Sequence, residues 1–117
     1  MKYMMLINLG PRARDWRNLP EDEQNAIAAG YQTINQTPGV APGAGLQPPD
    51  TATTVRVQDG KTLTTDGPFV ETKEALDGYF MYEAEDLDAA IELAAKVPAA
   101  SMGGAIEIRP VMEWSRS

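Results

Sequence analysis

Tyr3-Met4-Met5-Leu6-Ile7-Asn8-Leu9 is apolar at almost every position rather than at every second one. That is the pattern of a central strand covered on both faces, and Gly10-Pro11 ends it. The next periodic block begins at Pro20. Ile27, Tyr31 and Ile34 recur at helical spacing and predict a helix from Pro20 to about Gln36, stopping before Pro38-Gly39. Proline lacks the N–H that a first turn leaves unbonded, and Glu21, Asp22 and Glu23 suit the positive end of the helix dipole. Leu19 offers no capping oxygen, so this end is expected to fray. Residues 38–50 hold four prolines and three glycines and predict a loop with a short extended piece around Leu46.

Thr53 to Gln58 and Lys61 to Thr65 flank Asp59-Gly60. A two-residue Asp-Gly between β-rich runs predicts a type I′ hairpin, which sets Val57 opposite Thr62 and Val55 opposite Thr64. Both faces of this ribbon are mixed, so it should project from the core or lie at its edge. After a connecting loop, Gly78 to Ala84 reads as a second core strand carrying Tyr79, Phe80 and Tyr82. Asp86 can cap a helix whose apolar stripe would be Leu87, Ala90, Ile91 and Ala94, with Pro98 as its stop. Met102-Gly103-Gly104 is a turn. Ala105 to Val111 is the last strand, with Ile106 and Ile108 on one side and Glu107 and Arg109 on the other. With the hairpin set aside, the order β-α-β-β-α-β and right-handed crossovers predict an α+β fold: a ferredoxin-like sandwich, an antiparallel sheet with two helices on one face plus an extra β-hairpin. The sheet's other face, with Met, Tyr and charged side chains, should not stay wet, and pairing in a homodimer would cover it.

Composition narrows the chemistry. A chain of 117 residues with 43% apolar content is the size of one domain with one core. It has no cysteine, which removes disulfides, thiol nucleophiles and thiolate metal sites. It has no histidine either, so a Ser-His-Asp triad or a zinc hydrolase site is impossible, and acid/base work falls to Asp, Glu, Lys or Tyr. No metal site and no cofactor are expected. The formal charge is −7, which disfavours direct nucleic-acid binding; the small cluster Arg12, Arg14, Arg17 reads as a solvated loop. The apolar run at Tyr3 to Leu9 is too short to span a membrane or to act as a signal peptide, so a cytoplasmic location is the default expectation.

At Asp66-Gly67-Pro68-Phe69-Val70-Glu71-Thr72-Lys73-Glu74 the chain resembles the YCII-related family, in the branch named for its DGPF motif. Gly45-Leu46-Gln47-Pro48-Pro49, Thr53-Thr54-Val55-Arg56, Gly78 and Gly103-Gly104 through Glu107-Ile108-Arg109-Pro110 carry the resemblance over nearly the whole chain. It implies a dimeric α+β barrel with a ferredoxin-like protomer. Some YCII-like relatives carry a His–Asp pair suspected of catalysis, which a chain without histidine does not share. Others sit beside or are fused to sigma-factor-like proteins, which implies a link to transcription initiation.

The candidate ligand-binding residues are Asp66, Lys73, Glu74, Glu107 and Arg109. Asp66 either organises the turn by bonding backbone N–H groups, with Phe69 plugging the core, or points a carboxylate into the dimer cleft. Lys73 and Glu74, with Glu71, are either a solvated charge run or an anion-binding and proton-transfer cluster. Glu107 and Arg109 face the barrel interior as a structural ion pair or a ligand clamp. Tyr31, Tyr79 and Tyr82 read as core or interface aromatics. Three functions remain open: a small-molecule-binding or regulatory module, a cofactor-free lyase or isomerase using carboxylate and Lys groups, and a structural or protein-interaction module. The charge balance alone yields a test. A mobility-shift titration with duplex DNA at physiological salt should show no retained complex; tight, salt-sensitive retention contradicts it.

Overall fold

The computed structural model describes residues 1–10, 16–68 and 75–113. Strand β1 spans Lys2–Leu9 and α1 spans Glu21–Asn35; β2 is Val40–Gly45, β3 Thr53–Gln58, β4 Lys61–Asp66 and β5 Ala75–Glu83. Helices α2 (Leu87–Ala94) and α3 (Pro98–Ser101) precede the last strand, β6 (Ala105–Pro110). Four strands form one sheet in the order β2-β5-β1-β6, every neighbouring pair antiparallel, and β3 pairs with β4 in a separate two-stranded sheet. The chain is thus α+β, and its topology is compatible with a ferredoxin-like sandwich.

The apolar run of β1 lies in the middle of the sheet. Tyr3, Met5, Ile7 and Leu9 are buried on one face, with Phe80 of β5, and join Ile34 of α1 and Ala90, Leu93 and Ala94 of α2 in one core. Ile106 and Ile108 pack against that core from β6, as the alternation in the sequence predicts. Met4, Leu6 and Asn8 point to the other face, where they are only half-buried.

Local chemistry explains the element ends. Pro20 sits at the cap position of α1 with no side-chain cap. Gln24 instead ties the preceding turn to the helix, its Nε2 donating to the carbonyls of Arg17 (2.9 Å) and Leu19 (2.8 Å), and the first-turn N–H groups stay without a side-chain cap. Asp86 caps α2 as predicted, its carboxylate accepting from the Ala89 N–H at 2.9 Å. The hairpin turn has φ of 52° at Asp59 and 75° at Gly60, which a type I′ turn requires at both central residues. Its register places Val57 opposite Thr62 and Val55 opposite Thr64.

Three expectations change. The Pro- and Gly-rich stretch contains an edge strand, β2, at Val40–Gly45 rather than a loop with a short extended piece around Leu46; Pro42 and Gly43 lie where the register shifts between Ala41 and Ala44, a placement in which a proline costs no ladder bond. Pro98 does not simply stop a helix but opens the short α3 after a turn. Helix α2 is rotated from the expected stripe: Leu93 is buried with Ala90 and Ala94, whereas Leu87 and Ile91 are 50% and 49% exposed. Leu93→Ala should therefore cost about 2–5 kcal/mol in chemical denaturation, and Ile91→Ala about 1 kcal/mol or less. Equal losses would contradict this orientation of the helix.

Candidate functional site

Reading one row of side chains across the helix-covered face gives Ile106, Ile7, Gly78 and Gly45, each paired with the next. Two isoleucines fill the β6 and β1 half of the row, and two glycines leave the β5 and β2 half without side chains. Gly78 has a steric reason to be glycine. A Cβ there would stand 2.8 Å from the backbone oxygen of Ala44, closer than such contacts allow, because β2 lies tight against β5. At Gly45 a Cβ would meet nothing within 4 Å.

The missing volume is a cavity of about 330 Å³ between α1 and the sheet, within the range of small-molecule sites. Ile27, Tyr31 and Ile34 of α1 roof it, Ile7, Leu9 and Phe80 form its floor, and Trp16 and Met102 stand at its sides. Most of this wall is apolar. Tyr31, Asn35 and Asp77 are the polar side chains among its lining residues. Asp77 is placed there by an irregularity in β5: Ile7 pairs with Gly78 but Asn8 pairs with Leu76, so Asp77 is looped out of the ladder. A smaller cleft of about 90 Å³ adjoins, sharing Leu9, Trp16 and Asp77 with the cavity and extending to Leu46, Pro48 and Pro49. Arg17 stacks over the Trp16 ring with its guanidinium carbon 5.6 Å from the ring centroid.

Burial, and secondarily the negative charge of Asp77, push the Tyr31 phenol above its ordinary value of 10.0, while a backbone hydrogen bond at Ala99 works the other way. Tyr31 is therefore a neutral hydroxyl at physiological pH, suited to exchanging a hydrogen bond rather than to acting as a phenolate.

Of the residues singled out in the sequence, Asp66, Glu107 and Arg109 lie elsewhere. Glu107 and Arg109 share the open face of the sheet, where Leu6 pairs with Glu107 and Met4 with Arg109. Arg109 Nε is 3.9 Å from Glu107 Oε2, and the two side chains are 71% and 58% exposed, so this pair is screened by solvent in the single chain and contributes little to stability. Asp66 ends β4, exposed and paired through its backbone with Thr53. Among the described residues its carboxylate accepts no hydrogen bond. The turn is held instead by the Gly67 N–H donating to Ala52 O at 2.7 Å and by the Thr54 hydroxyl donating to Gly67 O at 2.8 Å. Lys73 and Glu74, like Glu71 and Phe69, lie outside the described residues. Tyr31 was expected as a packing aromatic, while Asp77, Gly45 and Gly78 carried no functional signal, since their juxtaposition depends on strand register.

Among the described residues no group of three or more Asp or Glu side chains could hold a metal ion, and no helix is long and apolar enough to cross a membrane. A family model described as the YCII-related domain matches residues 1–115. The chain is also similar to an uncharacterized protein of Rhizobium meliloti (strain 1021), with 38% identity over 73 residues, which is 62% of this chain and 59% of that protein.

Tyr31 yields a pH test. Its phenol ionises at a higher pH folded than unfolded, so the folded chain keeps a proton that the unfolded chain gives up. The associated stability is complete below about pH 10 and is lost as pH rises beyond it. In urea unfolding across alkaline pH, Tyr31→Phe should flatten that decline. Parallel declines in the two proteins would contradict the burial of the Tyr31 phenol in this wall.

Proposed function

The chain belongs to the YCII-related family, and on that premise we propose that it is a small-molecule-binding protein whose ligand occupies the cavity beneath α1. The observation that carries this reading is the hollow at Gly78 and Gly45. A fold of this size normally packs its interior densely, and here one row of the sheet surrenders two side chains, at the buried Gly78 and at the edge position Gly45, in a cavity also lined by the half-buried Tyr31. The ligand that fits is compact and mainly apolar, with one hydrogen-bonding group directed at Tyr31. Binding with a regulatory outcome is favoured over catalysis, because Tyr31 is held neutral and no histidine is available to move protons near neutral pH.

The DGPF run at Asp66 to Phe69 supports placing the chain in the DGPF branch of the family. We also infer a homodimer formed through the open sheet face. Met4, Leu6, Tyr79 and Met81 form cross-strand pairs there, and an apolar stripe of this kind is normally covered. In such a dimer Glu107 and Arg109 would enter the barrel between the sheets, which supports a second ligand site there; Asp66, Lys73 and Glu74 are the further ligand-binding candidates that the sequence offers.

The cavity is tested with a neutral apolar fluorophore, N-phenyl-1-naphthylamine, excited by energy transfer from tryptophan in a Trp114→Phe background that leaves Trp16 as the single donor. Gly45→Leu adds a side chain where the wild type has open space, so the fold should survive while affinity falls about tenfold or more, the equivalent of about 1.4 kcal/mol. Undiminished binding by a folded Gly45→Leu protein, together with loss of binding in Arg109→Ala, would move the site to the open sheet face.

A further inference from the structure

The β3–β4 hairpin is a ribbon about 20 Å long that forms its own sheet and stands apart from the other four strands. Every residue of β4 is exposed, and so is every residue of β3 except Thr54. Val55 and Val57, 59% and 68% exposed, share one face with Thr62 and Thr64. A two-stranded ribbon without neighbours is marginal in water, and β-branched side chains are suited to a covered pleated surface. The sequence therefore specifies a stable register for an element whose Val55–Val57 face lies exposed in the single chain.

We propose that this arm reaches across to a second copy of the chain and lays its Val55–Val57 face on it. The proposal rests on the dimer inferred above and adds a separate contact to it. Area points to a second copy. The chain exposes 8668 Å², whereas an ordinary monomer of its 12.7 kDa mass exposes about 6,200 Å². Its radius of gyration is 16.4 Å against about 13 Å for a compact domain of this length. The excess surface is of the order that an obligate dimer removes from each partner.

Charge points the same way. The chain carries −7 overall, so two copies repel unless they meet where charge is balanced. The arm is such a place, with Arg56 and Lys61 against Asp59 and Asp66, and the open sheet face is another, with Lys2 and Arg109 against Glu83 and Glu107. A partner attracted by the acidic surface would be basic and would seek net negative charge, which neither surface offers.

The chain has no cysteine, so Val57→Cys provides a unique thiol for a benzophenone maleimide. Isotope-labelled and unlabelled copies are mixed at micromolar concentration, irradiated and digested. Cross-linked peptides joining a labelled to an unlabelled copy are expected; cross-links confined to one copy, or none, overturn the proposal. In sedimentation equilibrium the double variant Val55→Asp/Val57→Asp, with wild-type circular dichroism, should weaken self-association about tenfold or more. If it associates like wild type while Met4→Asp/Met81→Asp is monomeric, the dimer stands and the arm contact falls. If the wild type itself is monomeric at micromolar concentration, both fall. Should either variant fail to fold, the photo-cross-link alone decides, because it leaves the rest of the ribbon unchanged.

Discussion

The close approach of β2 to β5 at Gly78 governs the functional half of this molecule. The two backbones lie near enough that a side chain at Gly78 would strike the Ala44 carbonyl, so the sheet is thin there whatever the rest of the chain does. Helix α1 cannot sink into the vacancy, because Ile34 is fixed in the core with Met5 and Phe80 and holds the C-terminal half of the helix at its height. The cavity under Ile27 and Tyr31 is the difference between where α1 is anchored and where the sheet surface lies. Its chemistry comes from a neighbouring feature: the β1–β5 register shift sets Asp77 beside the hollow, and burial together with the charge of Asp77 keeps the Tyr31 hydroxyl protonated.

What was legible in the sequence was mostly local. The Asp59-Gly60 turn specifies its own register, because positive φ at both central residues leaves one favoured pairing. The unbroken apolar run of β1 marks the centre of the sheet, and Asp86 announces the start of α2. The alternation of Ile106 and Ile108 with Glu107 and Arg109 correctly assigns each side of β6. The rotation of α2 was not legible: Leu87, Ile91 and Leu93 are all apolar, and only packing against the sheet decides that Leu93 goes inward.

Strand β2 was hidden for a different reason. Proline and glycine argue against a strand wherever both edges must pair, but β2 is an edge, and its register shift absorbs Pro42 and Gly43. The cavity was hidden more deeply still. Gly45 and Gly78 lie 33 positions apart in the chain and matter only because the register sets them side by side. The charged residues that drew attention in the sequence did so because Glu and Arg stand out on a strand. A hollow is made by residues that are small, and no residue type signals it.

The molecule thus presents two sides with different roles in the proposed reading. The helix-covered side holds a partly open cavity within one chain, whereas in the proposed reading the open sheet face and the hairpin arm are surfaces that a second chain covers. The account's central claim concerns the first. Backbone amide and methyl shifts followed by NMR during titration with N-phenyl-1-naphthylamine test it most directly. Perturbations concentrated at Ile7, Ile27, Gly45 and Gly78 are the predicted result. Perturbations concentrated at Met4, Leu6, Met81 and Arg109, with the α1 signals unmoved, would contradict it.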